Sequence, residues 1–242
     1  MREGLYCESG GLASLSLPER GPFSRREENG YTVLCGTADD GTDYVTLTEF
    51  DADDGGALAE AVAREFGMFL GRVGIPTPSS VLVAGIGNAE VEADSLGPRV
   101  SGRIAVGRTG NGTSVFSFAA GVPEATGMET EILVPAVARH IGADLLVTVD
   151  SLAALSPCRL CRTVQISGGA RPGSGVERRA GAIGRDEAGC PVVALGVPTA
   201  VRGRLSRGED GADGLFTACG IGASVVFYAA SLANAINTYF RS

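Results

Sequence analysis

The sequence predicts an α/β fold: a three-layer α/β/α domain built on a mostly parallel or mixed sheet. Three observations lead there. From residue 57 onward, short β-branched apolar runs alternate with apolar patterns at helical spacing. Two of the runs, 81–84 and 145–149, are apolar enough for strands buried on both faces, and acidic residues follow them. Nearer the N-terminus, the β-prone runs 31–35 and 44–48 flank an Asp-Asp-Gly-Thr-Asp stretch, which is hairpin chemistry and adds antiparallel pairing at one edge.

Taken in order, residues 1–30 are polar and rich in Gly, Pro, Ser and paired charges, and read as a loose lead-in to a single domain over 31–242. After the hairpin, Leu58, Ala61, Val62, Phe66, Phe69 and Val73 recur at helical spacing over 57–73, and Pro76 and Pro78 stop the helix. A strand over 81–86 leads into an acidic loop and a short helix after Ser95, with Pro98 in its first turn. Strand 115–120 follows, then a helix over 130–141 closed by Gly142, with Pro135 expected to delay or kink it. Strand 144–149 ends at Asp150, and strand 162–167 precedes a loop, 168–176, with four glycines. Strand 191–197 runs into Thr199, and 202–214 is a charged, glycine-rich surface connection. Helix 221–241 carries the stripe Ile221, Val225, Ala229, Leu232, Ala233, Ile236 and Phe240.

Composition narrows the function classes. With 44% apolar and 20% charged residues the chain is globular rather than disordered. A formal net charge of -8 argues against a nucleic-acid-binding surface. No targeting segment or uninterrupted apolar span is visible, so a cytoplasmic protein that does not engage a membrane is expected. Among six cysteines, Cys158 and Cys161 have C-x-x-C spacing, but no second pair exists and His140 is the only histidine. Free thiols without zinc are expected there, and no cofactor is expected.

The stretch Gly85-Ile-Gly87-Asn88, followed by Glu90, Glu92, Asp94 and Gly97-Pro98, is the centre of the chain. A buried strand there delivers carboxylates at its carboxyl edge, where ligands bind in open α/β sheets. The pattern does not suit a dinucleotide, because Glu90 stands where a third glycine belongs and would repel a pyrophosphate. A solvated loop or a helix N-terminus explains the same acids without chemistry. Asp150 repeats the situation at the end of a second strand. The glycine-rich 168–176 loop can aim several backbone N–H groups at one point, or serve as a surface turn.

Six motifs then resemble, in order, those of the spore germination protease family. They are Gly85-Ile-Gly87-Asn88 with Asp94-Ser-Leu-Gly97-Pro98; Ala120-Gly121-Val122 with Thr126-Gly127-Met-Glu129; Val149-Asp150-Ser-Leu-Ala153-Ala154; Thr163-Val-Gln165-Ile-Ser167; Pro172-Gly-Ser-Gly175-Val176; and Ala194-Leu-Gly196-Val-Pro-Thr199. The resemblance covers roughly residues 57–200 and the last helix. It implies a fold like that of hydrogenase maturation proteases and an endopeptidase of small acid-soluble spore proteins in the spore or forespore interior. It also implies a homo-oligomer, a tetramer, made as a zymogen.

By the same resemblance Asp94 and Asp150 are the catalytic pair; Gly87, Asn88, Gly173 and Ser174 are expected to bind substrate. Two carboxylates held close share a proton: one draws a proton from water while the other donates. Asn88 donates to the scissile carbonyl or orients Asp94.

The chain departs from the family in four places. Residues 1–30 show no match to its pro-segment, and 200–220 replace a longer region. Ser167-Gly168-Gly169-Ala170 stands for Ser-Asp-Thr-Gly, and the 108–114 loop is short. A shortened, divergent member fits this pattern. Two other readings stay open: a catalytically silent paralogue that binds or regulates, and a metal-dependent maturation-type protease using Glu90 or Glu92 with Asp94 and Asp150.

Overall fold

A computed structural model of the chain describes residues 6–9, 14–16, 24–37, 41–51, 53–154, 156–169, 175–176, 183–204 and 213–241. Strands β1 (Tyr6–Ser9), β2 (Ser14–Ser16) and β3 (Ser24–Glu28) precede the hairpin of β4 (Tyr31–Thr37) and β5 (Asp43–Thr48). Next come α1 (Gly55–Arg72), β6 (Ser80–Ile86), α2 (Leu96–Ser101), β7 (Gly107–Arg108) and β8 (Ser114–Gly121). They are followed by α3 (Pro123–Thr126), α4 (Thr130–Ile141), β9 (Leu145–Ala154), β10 (Thr163–Gly169), β11 (Gly175–Val176) and β12 (Ile183–Gly184). Then come α5 (Arg185–Ala188), β13 (Val192–Arg204), β14 (Asp213–Phe216) and α6 (Ile221–Arg241).

One mixed sheet runs in the order β3-β4-β5-β10-β13-β9-β6-β8-β7. Its centre is parallel, since β13 pairs with β9, β9 with β6 and β6 with β8 in that sense. The early hairpin enters through the antiparallel β5–β10 pair, so the fold is α/β with a mixed sheet. Alternation sorts the strand side chains between two cores. Val81, Val83, Val147, Val149, Val193 and Leu195 face α1, α2 and α6, whereas Leu82, Ala84, Ile86 and Leu146 meet Val134 and Ala138 of α4.

Helix ends follow local chemistry. Asp54 caps α1 by accepting the Ala57 N–H at 2.9 Å. Gly142, at φ 65°, ends α4 in the left-handed region. Pro135 does not delay α4, which starts at Thr130, where the hydroxyl donates to the Gly121 carbonyl at 3.3 Å. Helix α6 has the length and apolar composition of a membrane span. In this fold its whole stripe, from Ile221 to Phe240, is buried in the core shared with α1 and α2.

Two strands outrun their sequence limits. Patterning ends one at Asp150 and the other near Thr199, but β9 continues to Ala154 and β13 to Arg204. The two satisfy each other's backbone as far as Val201–Ala154, through a bulge between Pro198 and Ala200. Beyond the end of β6, β1 takes its place beside β9, and β14 flanks β13. Part of the 202–214 stretch read as a surface connection is therefore hairpin. Ser24–Glu28, inside the stretch read as lead-in, is paired along its length with β4.

The β3–β4 ribbon is tied to α1 through a buried carboxylate. Glu65 is 1% exposed and receives Arg26 at 2.6 Å and the Tyr31 hydroxyl at 3.1 Å. Burial works against the Arg26 charge, but Glu65 and Glu28 outweigh it and hold the guanidinium above its ordinary value. Burial, reinforced by Glu65, pushes the Tyr31 phenol up to about 12. Removing the cation alone strands a buried charge. Arg26→Met should therefore cost about 3 kcal/mol in urea unfolding, and adding Glu65→Leu should recover most of it. A double-variant loss equal to the sum of the Arg26→Met and Glu65→Leu losses would show that the pair is not coupled.

Candidate active site

At the end of β6 the chain makes two successive turns. Val91 N–H donates to the Asn88 carbonyl at 3.2 Å, and Asp94 N–H to the Val91 carbonyl at 2.8 Å. This coil returns Asp94 to its own start, where its carboxylate accepts the Asn88 N–H at 2.6 Å. The Asn88 side chain accepts the Glu90 N–H at 3.0 Å, so the loop is held from within. Gly87 sits at φ 124°, and a Cβ there would lie 2.1 Å from the Asp94 carbonyl oxygen. No larger residue permits the closure.

Helix α2 then seats the loop on the sheet. An ideal Cβ on Gly97 would stand 2.3 Å from the carbonyl oxygens of both Ile86 and Val149. The first turn of α2 thus rests on the ends of two neighbouring parallel strands. Gly85–Val149 is the last β6–β9 pair, and Asp150 is the next residue of β9. Both aspartates stand at the carboxyl edge of the same β6–β9 pair. Asp150 is 8% exposed, and its carboxylate accepts the Ser151 N–H at 2.8 Å; Asp94 is half-buried.

Beside Asp94 opens a cleft of about 440 Å³, lined also by Val91, Ser151, Thr199, Leu215 and Phe216. Ser151 is 4% exposed, and among the described residues its hydroxyl has no hydrogen-bond partner. Sequence patterning missed this wall, because Leu215 and Phe216 arrive through the β13–β14 hairpin. The signal was present: two large apolar residues follow a charged, glycine-rich stretch.

The structure thus brings Gly87, Asn88 and Asp94 into one hydrogen-bonded loop and sets Asp150 on the adjoining strand. Gly173 and Ser174 lie outside the described residues. Glu90 and Glu92 are exposed, and the Glu92 carboxylate lies over Gly222 in the first turn of α6, where it complements the helix dipole. His140 is exposed in the last turn of α4. Cys35, Cys158, Cys161, Cys190 and Cys219 are free thiols. Among the described residues, no group of three or more His, Cys, Asp or Glu side chains is placed to hold a metal ion.

The Gly97 contact makes a sharp prediction. Gly97→Ala should lower stability by about 3 kcal/mol, since the clash is with two backbone carbonyls that cannot swing away. Gly102→Ala, whose nearest non-neighbour atom is 3.5 Å from the new carbon, should cost far less. Urea unfolding of both variants checks this, and equal effects would remove the special status of Gly97.

The chain matches the family model described as germination protease over residues 42–217. It is 34% identical over 174 residues to the germination protease of Priestia megaterium, covering 65% of this chain and 47% of that one. To the germination protease of Caldanaerobacter subterraneus subsp. tengcongensis it is 38% identical over 176 residues, covering 66% and 53%. The chain spans about half the length of these curated relatives. A structural likeness is found to the [NiFe] hydrogenase maturation protease HycI from Thermococcus kodakarensis KOD1. It has a TM-score of 0.46 and 19% identity, covering 72% of this chain and 99% of that one. With the family model matched over most of its length, the chain belongs to the germination protease family.

Proposed function

We propose that this chain is an endopeptidase of the germination protease type, hydrolysing small acid-soluble spore proteins with Asp94 and Asp150 as its catalytic pair. The supporting observation is their shared edge: Gly97 packs the Asp94 loop onto the strand end that carries Asp150. A carboxylate and a carboxylic acid at such an edge bracket one water. The ionised partner takes a proton as the water oxygen attacks the peptide carbonyl carbon, and the protonated partner donates to the carbonyl oxygen. Collapse of the tetrahedral intermediate breaks the C–N bond, and the leaving nitrogen takes a proton from the pair. Roles are assigned to the pair rather than to each residue, because coupled carboxyl groups titrate together.

Asn88 fixes Asp94 through its backbone N–H. Its side chain and Gly87 are assigned to binding the substrate backbone, and Gly173 and Ser174 are assigned to substrate binding with them. The protein works in the cytoplasm of the spore or forespore as a homo-oligomer, a tetramer by family resemblance.

Incubation with a small acid-soluble spore protein, read by intact mass, tests the whole reading. Asp94→Asn and Asp150→Asn should each lower kcat by about 10³-fold or more without unfolding the chain, and the double variant should be little worse. The pH–rate profile should be bell-shaped, and a chelator should leave the rate unchanged. Inhibition by chelator would favour the metal-dependent reading. Absence of cleavage where another family protease is active would favour the silent paralogue. Full activity in Asp94→Asn would end the dyad.

A further inference from the structure

A second cavity, of about 490 Å³, collects three thiols between the end of β5, the segment 158–162 and the start of α6. Cys158, Cys161 and Cys219 line it, together with Glu49, Arg162 and Ser224. The three do not form a metal-ligand set. Cys158 and Cys161 share the cavity wall, with two residues between them in the chain. Leu160 N–H donates to the Pro157 carbonyl at 3.1 Å and Arg162 N–H to that of Arg159 at 3.0 Å. These turns span 157–160 and 159–162 and so fold the segment that joins the two cysteines; a disulfide accepts Cα atoms about 4.4–6.8 Å apart. Cys219 reaches the cavity from the turn before α6.

The backbone at Cys161 is held under strain. Its φ of 52° is in the left-handed region, unfavourable for a residue with a side chain. Two hydrogen bonds maintain it: Cys161 N–H to the Pro198 carbonyl at 2.7 Å, and the buried Tyr228 hydroxyl to the Cys161 carbonyl at 2.6 Å. Pro198 opens the bulge of β13, and the next residue, Thr199, lines the Asp94 cleft. The thiol pair is therefore one hydrogen bond and one residue from that cleft.

We propose that Cys158 and Cys161 form a redox modification site: a low-molecular-weight disulfide converts them to an intramolecular disulfide, and the change passes through Pro198 to the wall of the Asp94 cleft. Cys158 is exposed, whereas burial pushes the Cys161 thiol above its ordinary value, so Cys158 meets the oxidant first. The Cys158 thiolate attacks one sulfur of the disulfide, expelling one thiolate and leaving a mixed disulfide. The Cys161 thiolate then attacks the Cys158 sulfur and expels the second. One small disulfide is consumed, two small thiols are released, and both protein thiols are oxidised together. The proposal does not depend on cleavage activity, because its readouts are covalent and structural.

The test equilibrates the folded full chain with oxidised and reduced glutathione, followed by alkylation, peptide mapping and amide hydrogen exchange. The expected result is a Cys158–Cys161 link, reversed by dithiothreitol, with exchange at residues 199–201 altered about fivefold. Cys158→Ser, an exposed substitution, should abolish both the link and the exchange change. A link from Cys158 to Cys219, no link at all, or a link that leaves exchange at 199–201 unaltered would each overturn the proposal. The same exchange change in Cys158→Ser would overturn it too.

Discussion

The site depends on one contact, the seat of Gly97 against two carbonyl oxygens at the ends of β6 and β9. Those carbonyls belong to adjacent parallel strands, so the distance between them is set by the sheet ladder rather than by side chains. A helix that packs against both without a Cβ between fixes the loop before it as well. Asp94 is three residues upstream, and its carboxylate closes the loop onto the Asn88 N–H. The loop that carries the carboxylate is thus a backbone construction, held by turns and one close approach, and owes little to the side chains of Glu90 and Glu92.

The second constraint is the extension of β9 and β13 past the edge where β6 stops. An isolated pair of strands there would leave backbone groups unpaired, and β1 and β14 supply the partners. Because Asp150 lies inside this continuous strand, its position is held on both sides, by Val149 under Gly97 and by Ser151 in the cleft wall. The same extension brings Leu215 and Phe216 to the cleft and sets Pro198 against Cys161. One pair of long strands therefore connects the aspartates, an apolar wall and a thiol pair.

On the far side from α4, the layer formed by α1, α2 and α6 holds this arrangement in place. Phe66 of α1 meets Tyr239 and Phe240 of α6 edge to face, at 5.1 and 6.0 Å between ring centroids. Asn237 of α6 accepts the Ala105 N–H at 2.8 Å and donates to the Arg103 carbonyl at 3.0 Å, tying the helix to the segment after α2. The Glu92 carboxylate over Gly222 joins the Asp94 loop to the start of the same helix.

The sequence by itself determined the α/β class, helices α1, α2, α4 and α6 and the strand that opens into Asp94, because each is written in local periodicity, caps and turn residues. Helix α4 ends at Gly142 and α6 runs from Ile221 as patterning requires, and the stripe of α6 is buried as its spacing demands. The motifs also marked the Asp94 loop and Asp150. Tertiary structure decided where strands stop, since the length of β9 and β13 depends on partners distant in sequence, which no local pattern encodes. It decided that Gly97 is the seat of the site, that Ser151 and Phe216 share a cleft with Asp94, and that Cys161 bonds to Pro198. Those are contacts between backbone groups and side chains brought together by the sheet, and they exist only once its long-range ladders have formed.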